Sequence, residues 1–272
     1  MIIAVDTGGT KTLIGRFSDD GALEKVARIP TPSDPTIYTE TVCEYIVDMA
    51  GMNIVTHLSI GLPGIVRDGV ALTCTNLNWH NVPLRDMFAT SFPETTILLD
   101  NDANLAGLAS MRRLPQMPRC GLCLTIGTGI GSSIILDGVI HPALNQSEAG
   151  HMRVTYRGHT AAWEDVASGR ALQQSLGALG ATTSPRVWRD VAERMAVGLQ
   201  PLIVTIQPDC IVIGGGLGPH AKHFTPLLTE TLADTLPPFI TPPSIISAPH
   251  AEEIVLYGCY DNARQHRSAP RA

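Results

Sequence analysis

Short apolar runs near the start of the chain alternate with polar turns rich in glycine and aspartate. Residues 2–5 (Ile2-Ile3-Ala4-Val5), 12–17 and 23–29 read as three consecutive strands, the second turn being carried by Asp19-Asp20-Gly21. A helix follows: Asp34 can cap it, Ile37, Val42, Tyr45, Ile46 and Met49 form an apolar stripe, and Gly51 ends it. Next come a strand at 54–60, a turn at Gly61-Leu62-Pro63-Gly64, a loop to Trp79, a short helix at 84–91 and a strand at 96–99. The polar run Asp100-Asn101-Asp102-Ala103-Asn104 sits at the C-terminal end of that strand.

The second half begins in the same order. A strand at 120–126, a glycine turn, a strand at 133–136 and a turn at Asp137-Gly138 repeat the opening pattern without repeating its residues. Helices are expected at 163–179, 187–206 and 221–236, with strands at 210–213 and 244–247 and a closing helix at about 252–265. Pro201 removes a hydrogen bond inside the second of these helices and is expected to kink or split it. The pattern implies an α/β chain of two duplicated lobes, 1–110 and 111–251, with a terminal segment at 252–272 packing back on the first and a ligand cleft between them.

Composition fits that picture. The chain has 272 residues, 44% hydrophobic and only 16% charged, which suits a large buried core in one enzyme-sized unit. Its net charge of -6, with no cluster of Lys or Arg, argues against a nucleic-acid or acidic-membrane partner, so an anion must be held by local geometry. No basic segment precedes the first apolar run, and the expectation is a cytoplasmic protein without a secretory signal. The long uncharged run 120–136 holds four glycines and several hydroxyls and reads as strand and loop rather than a membrane span. Six scattered cysteines, mostly in apolar runs, read as reduced core residues, the Cys120/Cys123 pair included.

Two loops carry the candidate chemistry. Gly8-Gly9-Thr10-Lys11 after Asp6-Thr7, and Gly127-Thr128-Gly129 after the 120–126 strand, let backbone amides and hydroxyls approach phosphate oxygens, although each alone is equally a hairpin turn. Gly214-Gly215-Gly216 permits the approach of a flat ring and also fits a strand-to-helix turn. Asp102 is either an N-cap or a carboxylate held at a site edge. Asp6 is an isolated charge after four apolar residues, Lys11 either neutralises phosphate or lies on the surface, and Glu148, His151 and Glu164 can pair with hydroxyls.

Taken in order, these motifs resemble the ROK group of sugar kinases and repressors in the actin-like ATPase (ribonuclease H-like) superfamily. The resemblance runs through residues 6–10, 61–64, Thr75-Asn76-Leu77 with Trp79, 101–104, 127–131, Glu148-Ala149-Gly150-His151, Glu164 with Ser168-Gly169, and 209–216. It implies two lobes, each a mixed sheet flanked by helices, and ATP-dependent phosphorylation of a hexose hydroxyl, with the 6-hydroxyl of glucose or a related aldohexose favoured. An N-acetylmannosamine, N-acetylglucosamine or fructose kinase and a non-catalytic sugar sensor are the alternatives. Asp102 becomes the general base; Gly64, Thr75, Asn76, Asn101, Glu148, His151 and Glu164 become sugar contacts. Asp6, Gly8, Gly9, Thr10, Lys11, Gly127, Thr128, Gly129 and Gly214 to Gly216 become contacts for ATP, with Asp6 near Mg2+ through water. A homodimer is also implied. A repressor would carry a DNA-binding segment before the first strand, and with the phosphate motif already at Asp6 the expectation is a kinase rather than a repressor.

One departure stands out. The group's Cys-Xaa-Cys-Gly-Xaa-Xaa-Gly-Cys zinc cluster between the histidine and the following glutamate is missing: His159 is the one soft ligand between His151 and Glu164, so no structural zinc is expected. Trp163 can pack the shortened loop, and the departure bears on sugar preference rather than on phosphate chemistry.

Overall fold

The computed structural model describes residues 1–248 and 252–268. These residues form two compact units, one of 1–109 with 252–268 and the other of 110–248.

The first unit is built on β1 (Ile2–Thr7), β2 (Lys11–Phe17) and β3 (Leu23–Pro30), then α1 (Pro35–Ala50) and β4 (His57–Leu62). Three short strands follow, β5 (Ile65–Arg67), β6 (Val70–Cys74) and β7 (Trp79–Val82), and then α2 (Leu84–Ser91), β8 (Thr96–Asn101) and α3 (Asp102–Arg112). The main sheet has the order β3-β2-β1-β4-β8, antiparallel up to β1 and parallel beyond it. Its central strand is apolar at four successive positions, as a strand covered on both faces must be.

Asp34 caps α1, accepting from the amides of Thr36 and Ile37 at 2.8 and 3.0 Å, and Gly51 ends the helix at a φ of 56°. The buried face differs from the expected stripe. Tyr38, Val42, Ile46 and Met49 point inward, while Ile37 and Tyr45 are exposed. Tyr38 wins the inward place because its hydroxyl meets Thr7 Oγ1 at 2.6 Å and its ring packs on Trp79. The stretch expected as a loop before Trp79 is instead a small antiparallel sheet, β5-β6-β7, turned at Asp68-Gly69 with both residues at positive φ.

The second unit contains β9 (Cys120–Ile126), β10 (Ile130–Leu136), β11 (Val139–Ile140), the hairpin of β12 (Arg153–Tyr156) and β13 (His159–Ala162), α4 (Trp163–Ala167), α5 (Gly169–Leu176), α6 (Pro185–Ile206), β14 (Cys210–Gly214), α7 (Ala221–Thr235) and β15 (Ser244–Ser247). Its sheet order, β11-β10-β9-β14-β15, has the same succession of two antiparallel and two parallel pairings as the first. The order of elements thus repeats.

Two expectations are corrected here. The helix expected at 163–179 is two helices, because Ser168 adopts extended backbone and its hydroxyl caps α5 at the Ala171 amide, 3.2 Å away. Gly169 also lies so close to Gly127 O that a Cβ would be 2.8 Å from it. Conversely, α6 is not split at Pro201. That residue is exposed, while Met195, Leu199 and Ile203 bury a continuous face on either side of it.

The last element, α8 (Ile254–Ser268), packs on the first unit: Gly258 sits directly against Leu105 O, and Cys259 Sγ donates to Val5 O at 3.5 Å. The boundary expected at 251 and the extension of the terminal segment to 272 lie outside the described residues. Among those described, no helix is long and apolar enough to cross a membrane.

Candidate active site

In the first unit, the β1–β2 turn closes through Gly8 N donating to Lys11 O at 2.9 Å. Gly9 gives this turn its neighbour: a Cβ there would lie 3.1 Å from Asn76 Cβ, so the 3-10 turn Thr75–Leu77 packs against it. Asp6, Gly8, Gly9, Thr10, Thr75 and Asn76 are thereby gathered in one place. The Lys11 side chain forms an ion pair with Glu252, which also pairs with Arg28.

Gly64 is a glycine because Thr73 O occupies the space of a side chain; its own carbonyl accepts from Asn101 Nδ2 at 3.0 Å. Asn101 Oδ1 accepts from the amides of Ala103 and Asn104 at 2.8 and 3.3 Å and so caps α3. Asp102 occupies the first turn, where the helix dipole favours a carboxylate, and its Oδ1 accepts from the Ala103 amide at 2.8 Å. Burial raises Asp6 from an ordinary 3.8 to about 7; the charge of Asp102 adds to the rise, Lys11 opposes it and Glu252 adds again.

Among the described residues no three His, Cys, Asp or Glu side chains converge on a point that could hold a metal. The charge of Asp102 reaches Asp6, so two carboxylates stand near one another in this unit, and one or two carboxylates are what a Mg2+ carried by phosphates requires. The donor set fits that ion.

In the second unit, the β9–β10 turn carries Gly127, Thr128 and Gly129. A Cβ at Gly129 would lie 2.5 Å from Glu164 Oε2, and that oxygen accepts from Ile130 N at 3.4 Å. Glu164 Oε1 stands 3.6 Å from His151 Nδ1. Gly129 therefore makes room for the Glu164 carboxylate. Glu148 precedes the 3-10 turn Ala149–His151, which Ser132 Oγ clips to β10 by accepting from Ala149 N at 3.0 Å and donating to Ser147 O at 3.1 Å. Burial raises Glu148, His151 opposes that and Glu164 reinforces it. The structure thus brings Glu148, His151, Glu164 and Gly129 together.

Trp163, next to Glu164, is fully buried; it lies against Gly198, where a Cβ would collide with its ring, and its Nε1 donates to Arg194 O at 3.1 Å. The cysteine-free segment between His151 and Glu164 forms the β12–β13 hairpin, with its two turn residues, Arg157 and Gly158, at positive φ.

Gly127, Thr128 and Gly216 line a pocket of about 640 Å³ together with Arg170, Gln173 and His220. Gly215, at a φ of 70°, lies so close to Ile126 O that a Cβ would be 2.6 Å from it, and Gly214 stands beside Ala248. Arg170 is exposed and has no ion pair among the described residues. Sequence reasoning missed Arg170, Gln173 and His220. The signal was available for the first two, which stand one helical turn apart on α5 just after the Ser168-Gly169 motif.

Comparison with known proteins identifies the family. A ROK family model matches residues 2–261. The chain is 30% identical over 203 residues to a polyphosphate glucokinase of Mycobacterium tuberculosis, covering 73% of this chain and 69% of that protein. It is 27% identical over 296 residues to an N-acetyl-D-glucosamine kinase of Escherichia fergusonii, covering 93% and 95%. Its fold matches the crystal structure of a ROK family glucokinase from Streptomyces griseus in complex with glucose and AMPPNP, with a TM-score of 0.78, 23% identity and coverage of 97% and 99%.

Proposed function

The chain belongs to the ROK family and is an ATP-dependent sugar kinase; from that premise we propose that it phosphorylates the 6-hydroxyl of glucose or a related aldohexose. The observation that carries the sugar half of this reading is the Glu164–His151 pair, 3.6 Å apart, which offers two acceptor oxygens beside a ring nitrogen to adjacent hydroxyls. Glucokinases among the relatives support glucose as the acceptor, and the glucokinase of Streptomyces coelicolor is 24% identical over 80% of this chain.

In this reading the first unit supplies the base. As the sugar oxygen attacks the γ-phosphorus, Asp102 takes its proton, the bond from the γ-phosphorus to the bridging oxygen breaks, and ADP leaves. Asn101, Gly64, Thr75 and Asn76 contact the sugar, and Gly8, Gly9 and Thr10 give amides to the phosphates. The second unit holds Glu148, His151 and Glu164 on the sugar hydroxyls, with Thr128 and Gly127 toward phosphate and Gly214 to Gly216 toward adenosine. Asp6 would hold Mg2+ through water, where the ion neutralises phosphate charge.

A coupled ATP-consumption assay over glucose, mannose, fructose, N-acetylglucosamine and N-acetylmannosamine tests the reading. Glucose or mannose is expected to give the highest kcat/KM. A clear preference for an N-acetylated sugar or fructose overturns the choice of acceptor, and ATP binding with no sugar-dependent turnover favours a sensor instead.

A further inference from the structure

A buried carboxylate outside the proposed reaction ties the β12–β13 hairpin to α6. Asp190 is 8% exposed, and both of its oxygens are engaged: Oδ1 accepts from the Tyr156 hydroxyl at 2.6 Å and from Arg157, and Oδ2 accepts from Arg194 Nε at 2.8 Å. Two guanidinium groups lie over the ring of Tyr156, that of Arg157 at 4.8 Å and that of Arg194 at 5.0 Å from its centre. Burial alone would push the Asp190 carboxyl up; the hydrogen bonds from Tyr156 and Arg194 and the two positive charges outweigh it and hold it below the ordinary range.

The same network grips the helix that bears Glu164. Arg194 holds α4 at two points: its carbonyl accepts from Trp163 Nε1, and its guanidinium donates to Val166 O at 3.1 Å. At the other end of the hairpin, Trp163 N donates to Met152 O at 2.8 Å, next to His151. Glu164 lies between Trp163 and Val166, and His151 directly precedes Met152. Two routes therefore lead from Asp190 to the Glu164–His151 pair, one through the hairpin and one through Arg194.

We propose that Asp190 is a positioning residue for sugar binding, holding Glu164 and His151 at the spacing that sugar hydroxyls require, with Tyr156 and Arg194 as its links. The proposal rests on the sugar-kinase reading. Asp190→Asn keeps the shape but loses the charge that both arginines face, and it leaves the Arg194 guanidinium underpartnered near α4.

The test measures KM for sugar, KM for ATP and kcat in the wild type, Asp190→Asn, Tyr156→Phe, Glu164→Gln and the Asp190→Asn/Glu164→Gln double variant. Asp190→Asn is expected to raise the sugar KM about tenfold, with the ATP KM within about twofold of wild type, and Tyr156→Phe to raise the sugar KM about threefold. Since Asp190 acts through Glu164 and His151, the effects of Asp190→Asn and Glu164→Gln on the sugar KM are expected to be clearly less than additive in the double variant. If both Asp190→Asn and Tyr156→Phe leave the sugar KM unchanged, raise the ATP KM by the same factor, or add fully to Glu164→Gln, the positioning role is overturned while the kinase reading stands. Should Asp190→Asn fail to fold, Tyr156→Phe decides by the same measures, because it removes one hydroxyl and keeps the ring against the arginines. Absence of sugar-dependent turnover in the wild type overturns the kinase reading and this inference with it.

Discussion

Glu164 Oε1 lies 3.6 Å from His151 Nδ1, and the other oxygen of the same carboxylate fills the space that a side chain at residue 129 would take. A glycine read from the sequence as part of a phosphate loop is thus also the floor under a proposed sugar ligand. Gly129→Ala forces the carboxylate to swing off its place at the Ile130 amide. The loss of a hydrogen bond to a charged group, about 1.5 kcal/mol, corresponds to roughly a tenfold rise in the sugar KM. Steady-state kinetics with each substrate varied in turn check this, and a rise confined to the ATP KM would return Gly129 to a purely phosphate role.

Asn101 and Asp102 divide two duties that one aspartate could have combined. Asn101 caps α3 through two amides, so the start of the helix does not rest on the Asp102 carboxylate alone. Asp102→Asn is expected to lower kcat by about two to four orders of magnitude while sugar affinity by calorimetry stays within a few-fold of wild type. Asn101→Ala is expected to cost about 1 kcal/mol of stability through the lost cap, a fall in Tm of roughly 2–4 °C. A large loss of Tm in Asp102→Asn, or near-normal turnover, would remove Asp102 from the role of base.

Much of this was legible in the chain. The strands at 120–126 and 244–247 and the helix at 84–91 fall at their expected positions, because turn residues bound each one and its apolar residues are consecutive or periodic. β5 to β7 were not legible, since they are three to five residues long and partly exposed, and so carry little alternation. The break at Ser168 was hidden because helical periodicity continues across it; only the close approach of Gly169 to Gly127 O shows why the backbone must turn there. At the site, glycines and isolated acids stand out in sequence. Asp190 does not, being one of several charges on α6, and only the fold brings Tyr156 to it from 34 residues earlier.

Arg170 is the fully charged side chain lining the pocket beside Gly127 and Thr128, and Lys11, the cation suggested by sequence, is engaged by Glu252. Arg170 is accordingly expected to meet the phosphates of ATP. Because it is exposed, its contribution is about 1 kcal/mol, and Arg170→Ala should raise the ATP KM roughly three- to tenfold. Inhibition constants for adenosine, AMP and ADP give the diagnostic: the loss should be absent for adenosine and grow with each phosphate. An equal loss for all three would place Arg170 against the base or ribose instead.

The titration of Asp6 links stability to the reaction. Burial first, and the charge of Asp102 second, raise its carboxyl from 3.8 to about 7. The folded state then holds this proton more tightly than the unfolded chain, so the contribution to stability is full below about pH 4 and is lost as pH rises through about 7. Asp6→Asn, which mimics the protonated carboxyl, should be more stable than wild type at pH 8 by about 2 kcal/mol after allowance for solvent, or roughly 4–8 °C in Tm. Toward pH 4 that advantage should vanish. Adding MgATP should shrink it at pH 8, because a cation beside the ionised carboxylate favours the charged form that burial penalises. Thermal melts of both proteins from pH 4 to 8, with and without MgATP, decide the matter: an advantage of equal size at every pH would mean that Asp6 does not titrate in this range, and one untouched by MgATP would mean that it does not face the ion.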